Sequence, residues 1–138
     1  MKTDLKLSEL RIGNFVQVEN GMCSIPFFKI DEILKQNNEY VVRSYLDECK
    51  KIEVPINSII SIPLTENILL GSGFIKSKYY LRGYERIGFI NFSVCLRIQN
   101  SDLVFDWIGG NTCIKYLHQL QNLYFDLMGE ELKVGIIK

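Results

Sequence analysis

The chain has 138 residues, with 16 basic side chains balancing 16 acidic ones, 47% apolar content and 12% aromatic content. That composition is enough for one packed domain or two small lobes and excludes a disordered segment. The balanced charge removes any bulk field drawing the protein onto nucleic acid or an anionic membrane.

From the start, Met1 to Leu10 holds no apolar run of signal-peptide length, and no stretch reaches the roughly 18 apolar residues of a membrane span. Asn14 to Glu19 alternates apolar and polar residues and runs into Asn20-Gly21, a strong tight-turn dipeptide. Phe27–Leu34, Glu39–Tyr45, Lys51–Val54 and Ile56–Ile62 follow as further strands, with Asn37-Asn38 and Asp47-Glu48 as turns. Five strands in so short a span predict a small antiparallel, SH3-like barrel, which removes exposed sheet edges.

Pro63 ends that pattern. Thr65 is placed as the N-cap of a short helix through Leu70, with Leu64 positioned to staple against Leu69 and Gly71 and Gly73 at its exit. Strands return from Phe74 to Ile108. In Phe89–Gln99 the residues Ile90, Phe92, Val94, Leu96 and Ile98 share one face, while Asn91, Ser93, Cys95, Arg97 and Gln99 share the other. Asn100-Ser101 turns this strand into Leu103–Ile108. The stretch from Asn111 to Leu132 reads as a capped helix stopping at Gly129, and Val134–Ile137 as a last edge strand. The expected fold is therefore α+β: a strand-rich, barrel-like lobe over 1–62, then a lobe over 63–138 of helix, hairpin sheet and long C-terminal helix. At this length the two lobes can also share one continuous core.

Three blocks carry a family resemblance: ELRIGNFV at Glu9–Val16, IPLTENILLGSGF at Ile62–Phe74 and IKYLHQLQNLYFDLMGEEL at Ile114–Leu132. In these blocks the chain resembles a family of small uncharacterised proteins of gut anaerobic bacteria, often found among phage or mobile-element genes. The closing block departs from the family at Asp126 and Met128, where Ala and Thr are expected. The resemblance implies a cytoplasmic accessory protein and brings no catalytic residue with it.

The residues themselves argue against most chemistry. His118 is the single histidine. Were it on one helix with Cys113, five residues of rotation would leave the side chains about 140° apart, too divergent for a nucleophilic pair. Cys23, Cys49, Cys95 and Cys113 show no CxxC spacing, so no zinc site is expected, and unexported thiols are expected to stay reduced. Gly71-Ser72-Gly73 lacks the third glycine of a dinucleotide fingerprint, because position 76 is lysine. Gly109-Gly110 is explained by a hairpin exit leading into the capped helix. Asp106, beside Trp107, is a candidate for a buried carboxyl with a raised pKa but has no catalytic companion. No serine lies in a GxSxG elbow. No cofactor is expected.

Two surfaces remain. The C-terminal helix carries apolar ridges over much of its circumference, which predicts a platform for a protein partner or a second copy. Its contact candidates are Trp107, Tyr116, His118, Gln119, Asn122 and Phe125. The alternative is single-stranded nucleic acid. In an unbroken strand Lys76, Lys78, Tyr80, Arg82, Tyr84 and Arg86 would share a face alternating cations with rings, although Gly83 is expected to turn the chain and split that face. The expectation is a non-enzymatic, cytoplasmic interaction module, with nucleic-acid binding as the alternative.

Overall fold

Alternating burial builds the first strand: in β1 (Phe15–Asn20) Val16 and Val18 point into the core while their neighbours face outward. The computed structural model describes residues 5, 7–21, 23–46, 49–76, 83–87, 93–99, 102–107 and 110–135. It divides into two compact units, Met1–Ile62 and Pro63–Lys138.

In the first unit, β1 lies between β2 (Cys23–Lys29) and β6 (Ile59–Ile60) in one three-stranded sheet. Asn20 pairs with Cys23, so Asn20 is the last paired residue of β1 and not a central residue of the turn expected at Asn20-Gly21. The pairing slips by one residue between Val16↔Phe28 and Val18↔Ile25. That bulge accommodates Pro26, which has no N–H to give to a ladder. The strand expected over Phe27–Leu34 is cut in two at its middle. Ile30 N donates to Asn14 O (2.8 Å) in the first sheet, and Asp31 N donates to Arg43 O (2.8 Å) in the second. The chain thus changes sheets between these two residues.

The second sheet is β3 (Glu32–Gln36), β4 (Glu39–Tyr45) and β5 (Lys51–Pro55) in that order. Asn37 and Asn38, at φ 50° and 66°, form the two-residue turn between β3 and β4, a left-handed geometry asparagine tolerates. A single 3₁₀ turn, Ile56–Ser58, then leads into β6. Val16, Val18, Phe28, Ile30 and Ile59 from one sheet meet Val42 and Val54 from the other in one apolar cluster with Leu5. Each fully buried side chain of this kind contributes about 1.5–3 kcal/mol. Among the described residues the ladders form two three-stranded sheets and do not close into a barrel.

The second unit opens with α1 (Glu66–Gly71), capped by Thr65, whose Oγ1 accepts from Ile68 N at 3.2 Å. A five-stranded antiparallel sheet follows in spatial order β11-β10-β9-β8-β7. Its strands are β7 (Ile75–Lys76), β8 (Gly83–Ile87), β9 (Ser93–Gln99), β10 (Asp102–Trp107) and β11 (Gly110–Ile114). Then α2 (Leu117–Met128) packs Leu120, Tyr124 and Met128 against Leu69, Phe74, Leu96 and Ile114. It ends at Gly129, whose φ of 73° is the left-handed exit glycine accepts readily.

The helix is shorter than its sequence suggests. Residues 110–114 pair one for one with β10, from Trp107↔Gly110 to Leu103↔Ile114. Pro63 bridges Tyr116, and Leu64 N donates to Lys115 O at 3.0 Å, so the chain stays extended up to the N-cap. Ladder bonds to neighbouring strands outcompete a helix that would have to begin without them. Past Gly129, Leu132 enters the core and Gly135 N donates to Ser72 Oγ at 3.2 Å. A Cβ at Gly135 would lie 2.5 Å from the Gly71 carbonyl oxygen, so only glycine fits that crossing. Val134 and Gly135 are not in a strand, and the rest of the expected edge strand lies outside the described residues.

Candidate functional site

Most of α2 is used to hold the fold together. His118, expected at a partner contact, is 0% exposed and its ring stacks on Tyr116 at 6.0 Å between centroids. It sits in the first turn beside Leu117, on the side that faces the core. Gln119 Oε1 accepts from Lys115 N (2.9 Å) and Tyr116 N (3.1 Å), which ties down the helix start. Tyr116 and Asn122 are half-buried, and Phe125 is 37% exposed. The backbone of Trp107 lies in β10 opposite Gly110; its side chain lies outside the described part. The apolar breadth read from sequence is therefore largely the helix burying its ridges against its own sheet.

The basic and aromatic segment is also committed in part. Gly83 does not turn the chain; it opens β8 and pairs with Arg97. Tyr84 packs against the core, and its hydroxyl donates to Glu66 Oε1 at 3.0 Å. Burial, then the bond to Glu66, holds the Tyr84 phenol above its usual range. Arg86 Nε donates to Ser72 O at 3.0 Å, and its guanidinium lies 5.2 Å over the ring of buried Tyr124. Gly73, at φ 93°, gives that side chain room, since a Cβ there would meet Arg86 Nε at 2.9 Å. Lys76 is exposed, and Lys78, Tyr80 and Arg82 lie outside the described residues.

Asp106 reverses its expectation. It is exposed, and Arg97 grips both oxygens, Nε to Oδ2 at 2.5 Å and Nη2 to Oδ1 at 3.0 Å. The bond to Arg97 lowers its pKa. Cys113 stands exposed on strand β11 and His118 is buried on α2, so the two sit on separate elements. Among the described residues no three His, Cys, Asp or Glu side chains gather as metal ligands.

The surface that sequence reasoning missed is the outward face of β3-β4-β5. Cross-strand register places three rows on it: Leu34, Val41 and Pro55; then Glu32, Arg43 and Glu53; then Tyr45 and Lys51. Arg43 bridges both acids, Nε to Glu53 Oε2 at 2.5 Å and Nη1 to Glu32 Oε2 at 3.3 Å. Tyr45, 44% exposed, is nonetheless held in place. Its N–H donates to Asp31 Oδ2 at 2.7 Å and its hydroxyl to Glu32 Oε1 at 2.5 Å. That hydroxyl bond to Glu32 raises the phenol's pKa. Leu46 beside it is 64% exposed, with its N–H bonded to Lys50 O at 2.9 Å. The signal was present in the sequence as a Tyr-Leu pair ending a strand, but alternation alone does not say which face stays open.

The second unit holds a half-open cavity of about 260 Å³ between the start of α1 and the end of the sheet. Leu64, Leu69, Tyr84, Ile98, Leu103 and Ile114 wall it, and Thr65, Asp102 and Lys115 complete its lining. No family model, curated protein or solved structure matches the chain.

Proposed function

We propose that this protein is a non-enzymatic interaction module and that its contact surface is the outward face of β3-β4-β5, centred on Tyr45 and Leu46. The observation that carries the reading is Tyr45, an open aromatic ring already immobilised by Asp31 and Glu32. A ring ordered before binding loses little entropy on docking, which is why aromatic residues recur as interface anchors. The adjacent Glu32-Arg43-Glu53 row supplies a charged rim that can fix a partner's register.

We read the first unit as SH3-like. The meander of β2 to β5, the sheet change at Ile30-Asp31 and the 3₁₀ turn leading back to β6 support that reading. A cytoplasmic accessory role among mobile-element genes, implied by the sequence resemblance, suits a module that acts through a partner. The nucleic-acid alternative draws less support, because Tyr84 and Arg86 spend their polar groups inside the second unit.

Site-specific photo-crosslinking in the native host tests the proposal. A crosslinker at Leu46 is expected to yield one discrete heavier species, and a crosslinker at Phe125 none. Equal adducts from both positions, or none from Leu46, would refute it. Solution mass then separates a second copy of this chain from a different partner.

A further inference from the structure

We propose that β11 is a self-association edge: it pairs antiparallel with β11 of a second copy of this chain and joins the two five-stranded sheets into one. No residue of the first unit takes part, so this proposal and the interaction face described above stand or fall separately.

The edge offers unused backbone groups. Among the described residues β11 is the last strand of its sheet, with β10 on one side and no strand on the other. The two-residue connection from Trp107 to Gly110 makes those residues a hydrogen-bonded pair, and alternation then turns Gly110, Thr112 and Ile114 toward β10. The N–H and C=O of Asn111 and Cys113 point the other way. Lys115 keeps the same alternation, since its carbonyl faces the open side and accepts from Leu64 N at 3.0 Å. Among the described residues no backbone bond reaches the outward groups of Asn111 or Cys113, and Asn111, Thr112 and Cys113 are all exposed.

This edge also lacks protection. Open sheet edges are usually blunted by charge, by proline or by being short. Here β2 carries Pro26 and Lys29, β3 carries Glu32 and Lys35, β5 carries Lys51, Glu53 and Pro55, and β6 and β7 are two residues long. The five residues of β11 hold neither a charge nor a proline.

The row of open groups fits its own copy. Under a two-fold axis an antiparallel strand gives the same bonds that it receives. Leu64 already occupies the place beside Lys115, so an added strand lies alongside residues 110–114 and no further. The register that satisfies both outward residues sets Asn111 opposite Cys113 of the second copy. Thr112 then faces Thr112 across the axis as a close pair, with Cα atoms about 4.5 Å apart. No like charges meet there, because the strand has none. So short an edge falls below the area of a permanent dimer, which makes the pairing weak and reversible.

The test traps the pairing by disulfide formation in the full chain. Cys113→Ser serves as the parent. Adding Thr112→Cys puts two thiols on the axis, within the Cα separation of about 4.4–6.8 Å that a disulfide needs. Adding Asp126→Cys instead, at an exposed position of α2, measures random collision. With copper phenanthroline as oxidant, the Thr112→Cys chain is expected to form disulfide dimer at least about tenfold faster than the Asp126→Cys chain. Cys113→Pro then blocks the edge, since it removes the outward N–H and spares the ladder with β10. Combined with Thr112→Cys, it should return the rate to the collisional one. Asn111→Lys, which charges the edge, takes its place if circular dichroism shows that the proline variant does not fold. Equal rates at positions 112 and 126 would overturn the proposal. So would fast crosslinking at 112 that the block leaves unchanged, since the contact would then lie away from this edge.

Discussion

Both units bury polar side chains, Asn14, Ser44 and Ser58 in the first and Ser72, Glu85, His118 and Gln121 in the second, but they use their arginines differently. In the first, the inner faces of both sheets supply an aliphatic cluster with Phe28, and the Glu32-Arg43-Glu53 row lies on the outside of β3-β4-β5. In the second, an arginine turns inward: Arg86 reaches across from β8 to the buried Ser72 carbonyl and the ring of buried Tyr124. A sheet pair can satisfy its backbone within its own ladders. A helix end and a returning tail cannot, so the second unit uses side chains to answer the open groups of α1 and of residues 132–135.

Core truncations should have the largest effect and should treat the units alike. Phe28→Ala is expected to cost about 3–5 kcal/mol and Leu120→Ala about 2–5 kcal/mol, measured by urea denaturation. A cost under 1 kcal/mol at either position would mean that its cluster is not the core described here.

Arginine replacement should then separate the units. Arg86→Met leaves the buried Ser72 carbonyl short of a donor and removes the contact with Tyr124, for an expected loss of about 1–3 kcal/mol. Arg43→Met disturbs only partly exposed ion pairs on the sheet's outer face and should change the melting temperature slightly, less at high salt. Equal effects from the two substitutions would erase the contrast.

The smallest effect is alkaline. Tyr84 and Tyr124 have phenols raised chiefly by burial, whereas Tyr45 is raised first by its bond to Glu32. A phenol whose folded pKa exceeds its unfolded value of about 10 adds stability that is complete below that value and is lost as pH rises through the folded pKa. Stability should therefore decline above about pH 10. Glu32→Gln should bring one phenol in the ultraviolet titration back toward its ordinary range and leave the Tyr84 and Tyr124 transitions in place. An unaltered titration would remove Glu32 as the cause for Tyr45.

Local signals were legible wherever one residue type decides a backbone geometry. Asn37-Asn38 makes the left-handed turn, Thr65 caps α1, and Gly129 ends α2. The strand over Cys23–Pro26 was hidden because Pro26 argues against a ladder, and only its position at a bulge reconciles the two. The extended conformation of residues 110–114 was hidden because their apolar spacing continues that of the helix after them. The candidate contact face was missed for a related reason. Tyr45 looks like any strand aromatic until Asp31 and Glu32, fourteen and thirteen residues away, arrive beside it.

By itself, the sequence determined the class of the fold, the Asn37-Asn38 turn, the Thr65 cap, the Gly129 exit and the break at Pro63, because each depends on the conformational preference of a few adjacent residues. Only the tertiary structure decided where α2 begins, that His118 and Arg86 turn inward, and that Arg97 lowers the pKa of Asp106. Those outcomes depend on groups distant in sequence whose hydrogen bonds and burial exist only once the strands have paired, and no local pattern encodes them.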